Sequence, residues 1–172
     1  MNERLRKTVT AAVFTALICV LTMFPQIYMP VTRGYVNLGD CLVLAAAWLL
    51  GAKYGGIAVA LGSALADIIT GYVHYAPATF IIKGLMAVAA ALIVKAFHDR
   101  VTIGRIVGAV AAELIMVTGY YLYSWWFITG SAVASAPGII GNLVQGAVGI
   151  VVGIALMTAL DKTRLHSLLN TK

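Results

Sequence analysis

What this chain has least of is charge. Of its 172 residues, 10% are Asp, Glu, Lys or Arg, against about 25% in an ordinary soluble domain. So few charges cannot cover a water-facing surface. Hydrophobic residues make up 62% of the chain, and its mean hydropathy is +0.96. The composition excludes a soluble globular protein and implies one integral membrane unit, 1–172, in the lipid bilayer.

Acidic residues are scarcer than basic ones, 6 against 12. In a soluble chain that surplus would suggest nucleic acid. Here topology accounts for it, and no nucleic-acid partner is expected. Cysteine is nearly absent: Cys19 and Cys41 lie within or beside apolar runs, without metal-ligand spacing. They read as small buried apolar residues, and neither a metal site nor a cofactor is expected. Catalytic signatures are missing as well. There is no Walker A loop and no H-E-x-x-H, the three histidines are scattered, and Ser63 lacks the glycine context of a membrane serine protease. No catalytic residue is assigned, and any ATP hydrolysis must come from another protein. The first apolar run follows "MNERLRK" directly and ends in "FPQIYMP", with no small-residue cleavage site. It reads as a retained first helix rather than a cleavable signal peptide.

Long apolar runs are what the sequence does have. They predict an all-α membrane protein of six transmembrane helices, at about 8–25, 38–52, 55–73, 79–98, 104–127 and 138–160. The second is shorter than the roughly 20 residues a crossing needs. A five-helix count would follow if 38–73 were one broken hairpin that fails to cross. The stretch "LLGAKYGG" favours a tight turn between two crossings instead. With the N-terminus inside, Arg4, Arg6, Lys7, Lys53, Lys95, Arg100, Arg105, Lys162, Arg164 and Lys172 fall on the cytoplasmic side, and Arg33 alone falls outside. Positive residues stay in the cytoplasm during insertion, so the expected orientation is N-in, C-in. No repeat relates the two halves, unlike many secondary transporters.

This orientation gathers the polar residues of the spans at one depth, the outer half. Asn37 and Asp40 open the second helix. Asp67 lies in the third, with Gly71 and His74 continuing its stripe, and Tyr75 follows. Lys83 lies near the outer end of the fourth helix, Tyr120 in the fifth, and Asn142 and Gln145 in the first turns of the sixth. Lipid cannot solvate such groups, so they face the bundle interior or a wet cavity. A shared binding volume is one reading. A buried Asp67–Lys83 ion pair is the other. Asp40 serves either as a helix cap or as a site contact. The aromatics Tyr120, Tyr121, Tyr123, Trp125 and Trp126 cannot all face lipid. One of each adjacent pair should point inward, where flat rings suit a planar heteroaromatic ligand. Glu113 lies deepest. Ala12-x-x-x-Ala16 on the first helix and Gly149-x-x-x-Gly153 on the sixth carry the small-residue spacing of close helix approach.

The stretch Arg33 to Ala87 carries "NLGD", "LLGAKYGGIAVALGSALADIITGY" and "YAPATFIIKG" in order. It resembles the substrate-binding S component of energy-coupling factor (ECF) vitamin transporters, and the riboflavin-type subgroup most closely. The resemblance implies capture of a small water-soluble vitamin or precursor under a lid from the first outer loop, around Ile27 to Asn37. It implies docking on a membrane coupling (T) protein through Ala12 and Ala16, with two cytoplasmic ATPases supplying the energy. A pyridoxine- or hydroxymethylpyrimidine-like ring is slightly favoured and riboflavin comes next. The competing expectation is a stand-alone proton-coupled transporter with Asp67, Glu113 and Lys83 as a relay.

Overall fold

The computed structural model describes residues 2–30, 33–98 and 100–162. Arg164 and Lys172 of the cytoplasmic charge set, and Val31 and Thr32 of the expected lid, lie outside the described residues. Helix α1 spans Glu3–Met23. A hairpin of β1 (Ile27–Met29) and β2 (Gly34–Val36) follows, then α2 (Asp40–Ile69), α3 (Ala76–Ala96) and α4 (Val101–Tyr123). A π-helical stretch, Ser124–Thr129, leads through the short α5 (Ala132–Ser135) into α6 (Pro137–Asp161).

Local chemistry sets these limits. The Asn2 side chain caps α1 by accepting from the Arg4 N–H at 3.2 Å. Within α1 the hydroxyls of Thr8, Thr10 and Thr15 return to carbonyls one turn back, which satisfies them where lipid cannot. Pro25 ends the helix by forcing Phe24 into extended backbone. Helix α2 is broken at Gly51, whose φ of 73° is left-handed. A Cβ on Gly55 would stand 2.8 Å from the Ala46 carbonyl oxygen. In a straight helix those residues would be about 13 Å apart along the axis. The chain therefore doubles back at Gly51, inside the stretch read from sequence as a tight turn.

Five helices are long and apolar enough to cross a membrane: Glu3–Met23, Asp40–Ile69, Ala76–Ala96, Val101–Thr129 and Ala132–Asp161. The six predicted runs differ from this at two places. The second and third runs form one element, α2, as two limbs that reverse at Gly51. The predicted third run also extends past the true helix end at Ile69, so Gly71 and His74 leave the Asp67 stripe and lie in the following turn. The hairpin was not foreseen either: the Ile27–Asn37 loop pairs Ile27 with Val36 and Met29 with Gly34.

The core is built from Ile18, Leu44, Val59, Met86 and Met116, all fully buried, with alanines between them. Large apolar side chains lie mostly outside it. Val13 and Leu17 of α1, Ile81 and Leu85 of α3, Leu114 of α4 and Val151 of α6 are exposed. That inversion of the soluble pattern is what a lipid-facing bundle requires. Small residues let the helices approach. A Cβ on Gly149 of α6 would sit 2.7 Å from Asp40 Cβ of α2, so only glycine admits that crossing.

Candidate binding chamber

At the hairpin end the bundle hollows into a chamber of about 640 Å³, a volume that includes its open mouth. Its lining draws on the hairpin and on α1, α2, α3, α4, the π-helical stretch and α6.

The floor is a buried polar cluster. Lys83 is 3% exposed and Asp40 1%. The Lys83 ammonium donates to Asp40 Oδ1 and to Met116 Sδ, the latter at 3.1 Å. Gln145 donates to Asp40 Oδ2 at 2.7 Å. Its Oε1 accepts the Asn37 backbone N–H at 2.7 Å. Asp40 is therefore neither a cap nor a chamber-lining group. Gly39 holds the cap position, and the Asn37 side chain accepts from the Gly39 N–H at 2.7 Å. Nor does Lys83 pair with Asp67, as one sequence reading had it; its carboxylate partner is Asp40.

Asp67 meets the hairpin instead. Tyr35 of β2 donates its phenolic hydroxyl to Asp67 Oδ1 at 2.6 Å, which latches the hairpin to α2. Burial first, and then the neighbouring Asp67 charge, push the Tyr35 phenol above its ordinary range, so it remains a donor. Tyr72 packs on Tyr35 with ring centroids 4.7 Å apart. Asp67 Oδ2 has no hydrogen-bond partner.

Of the expected site residues, Asn37, Asp67, Tyr75 and Lys83 line the chamber, as do Tyr120, Asn142 and Gln145. His74 does not: it is exposed, its ring packs against Tyr75 at 4.9 Å, and its backbone oxygen accepts from the Tyr123 hydroxyl. Tyr120 and Tyr121 both face inward. Neither tryptophan does; Trp126 is 66% exposed and Trp125 packs against Tyr121 at 6.1 Å. Glu113 lies under the floor with both oxygens unpartnered, against Gly146 and Gly149. Ala12 and Ala16 are exposed on α1.

Sequence reasoning missed Tyr35, Ser63 and Thr79, which also line the chamber; Ser124, one turn outward from Tyr120 on the polar face read from the sequence, lines it too. Ser63 stands four residues before Asp67, and Thr79 four before Lys83. Looking one helical turn back from each charged span residue would have found both. Thr79 accepts a hydrogen bond from Tyr120 at 3.0 Å.

A lipid-facing helical bundle that holds a polar, aromatic chamber beneath a latched hairpin defines a membrane protein built around a small-molecule site. The chain belongs to the family of the ECF-type riboflavin transporter S component, which it matches over residues 2–162. It is 38% identical, over 148 residues, to an uncharacterized protein in a gap 3′ region of Pyrococcus woesei, covering 84% of this chain and 95% of that one. It is 27% identical, over 168 residues, to the thiamine precursor transporter HmpT of Lactococcus lactis subsp. cremoris (strain MG1363), covering 94% and 92%. Its fold matches a solved S component of a bacterial ECF transporter with a TM-score of 0.75 at 20% identity, over 98% of this chain and 99% of that one.

Proposed function

We propose that this chain is the substrate-capture subunit of an ATP-driven ECF importer for a small water-soluble vitamin or vitamin precursor. The chamber carries the reading: polar groups from several helices converge in a space closed on one side by the Tyr35–Asp67 latch. Nothing in bundle packing alone requires such a hollow. The substrate enters beside the hairpin and lies among Tyr75, Tyr120 and Tyr121. It hydrogen-bonds to Asn142, to the remaining Lys83 donor and to groups near Asp67. The hairpin then excludes water. A thiamine-precursor or pyridoxine-sized ring is favoured, as in the sequence reading, with riboflavin next; the thiamine precursor transporter among the relatives supports the former.

The chain crosses the membrane six times, with both ends in the cytoplasm. The reversal at Gly51 supports the sixth crossing and the charge asymmetry supports the orientation. Energy comes from two cytoplasmic ATPases acting through a membrane coupling protein, because the sequence contains no nucleotide-binding loop. That coupling protein docks on the small-residue face of α1 at Ala12 and Ala16. The relay alternative is disfavoured by the pairing of Lys83 with Asp40 rather than with Asp67 or Glu113.

Reconstitution tests the reading. In vesicles, the chain alone should bind labelled vitamin without accumulating it, and adding the coupling protein and its ATPases with ATP should start uptake. Accumulation by the chain alone under an imposed pH gradient would instead establish a proton-coupled transporter.

A further inference from the structure

What the chamber selects is written in the hydrogen-bonding groups that the protein leaves unused. A buried polar atom without a partner costs free energy, and folded proteins keep few of them. Asp67 Oδ2 and Ser63 Oγ are both of this kind, on side chains 3% and 1% exposed. Both residues line the chamber. They stand one turn apart on the same face of α2. Thr79 lies close enough for its hydroxyl to interact with the Asp67 carboxylate, but the geometry leaves Oδ2 without a formed hydrogen bond.

Charge narrows the choice. Among the described lining residues the charged ones are Lys83 and Asp67. The Lys83 charge is matched by Asp40 beneath it. The Asp67 carboxylate lines the chamber with a neutral phenol on its other oxygen. A phosphate or carboxylate on the ligand would meet that negative charge with no unpaired cation among the described lining residues to offset it. A ligand N–H would meet a waiting acceptor, and Ser63 can donate to an acceptor beside it.

We propose that Asp67 and Ser63 read the edge of the ligand ring, and that the chamber selects an unphosphorylated, amino-substituted nitrogen heteroaromatic compound. The amine N–H donates to Asp67 Oδ2, and the adjacent ring nitrogen accepts from Ser63 Oγ. Tyr75 and Tyr120, with centroids 6.3 Å apart, supply aromatic wall beside the site. A ring edge with a carbonyl beside an N–H presents the reverse order and sets its oxygen against the carboxylate. This inference rests on the capture reading above and names the substrate class for the same chamber.

The test is isothermal titration of the full chain in detergent with three probes: 4-amino-5-hydroxymethyl-2-methylpyrimidine, its 4-oxo analogue and its monophosphate. The amino compound should bind at least about 100-fold more tightly than either of the others, because a site built around a ligand donor rejects analogues that lack it. Asp67→Asn, whose amide can both donate and accept, should shrink the amino-to-oxo ratio to within about 10-fold. Ser63→Ala should weaken the amino compound by about 10-fold. If Asp67→Asn does not fold, the ratios of the unaltered chain decide alone. Equal affinity for the amino compound and either analogue would overturn the inference, as would an unchanged ratio in a folded Asp67→Asn chain. Binding of riboflavin or pyridoxine but of none of the three probes would overturn it while leaving the capture reading standing. Failure to bind any vitamin or precursor would overturn both.

Discussion

Lys83 of α3 donates to the carboxylate of Asp40, 43 residues earlier at the start of α2, and both side chains are buried. The two charges neutralise each other at the floor of the chamber, where Gln145 also bonds Asp40. Breaking such a pair from one side leaves an uncompensated charge away from water. Lys83→Met or Asp40→Leu alone should therefore destabilise the chain by about 3–5 kcal/mol. The double variant should recover much of that loss, as read by thermal unfolding in detergent. Additive losses in the double variant would mean that the two side chains do not act as a pair.

The Tyr35–Asp67 bond ties the hairpin to the bundle through a single phenolic hydroxyl at 2.6 Å. Tyr35→Phe keeps the ring against Tyr72 and removes the hydroxyl that makes that bond. Ligand dissociation should accelerate by about 10-fold, the worth of one hydrogen bond to a charged acceptor. The association rate should change far less. Stopped-flow release of bound vitamin checks this, and an unaltered dissociation rate would mean that the latch does not hold the ligand in.

Two glycines are under different constraints. Gly51 has φ of 73° with ψ of −180°, a conformation essentially reserved for glycine, and open space around it, so Gly51→Val should cost about 1–3 kcal/mol through backbone strain alone. Gly149 is ordinary helix, but a Cβ there would lie 2.7 Å from Asp40 Cβ. Gly149→Val should cost about 1–3 kcal/mol and should also weaken ligand binding, because it pushes on the Asp40–Lys83 floor. Comparing unfolding temperature with affinity for the two variants separates the effects.

Ala12 and Ala16 are exposed on α1 among Val9, Val13 and Leu17. Ala12→Leu with Ala16→Leu should abolish co-purification with the coupling protein while leaving vitamin affinity within about 2-fold, since neither residue lines the chamber. Retained co-purification would move the docking face elsewhere.

How far the sequence reached depended on which force set each feature. Lipid-facing helices were legible because apolar length is dictated by the bilayer. The Gly51 reversal was legible from "LLGAKYGG". The hairpin was not: Ile27–Met29 and Gly34–Val36 are three-residue strands with too little periodicity to mark them. The level of the polar residues was readable from charge asymmetry, and most of them do meet in one chamber. Partner choice was not readable. Both Asp40 and Asp67 stood within reach of Lys83 in sequence terms, and the tertiary crossing of α2 with α3 decides between them. His74 was misplaced because α2 stops at Ile69, which removes the helical stripe that had aligned it with Asp67.

Capture of a vitamin-type ligand is tested most directly by native mass spectrometry of the purified chain, released gently from detergent and then offered a panel of vitamins and their precursors. A single small molecule held at one per chain, either co-purified or gained from the panel, is the predicted result. A chain that carries no ligand and gains no mass from any member of the panel would contradict the account.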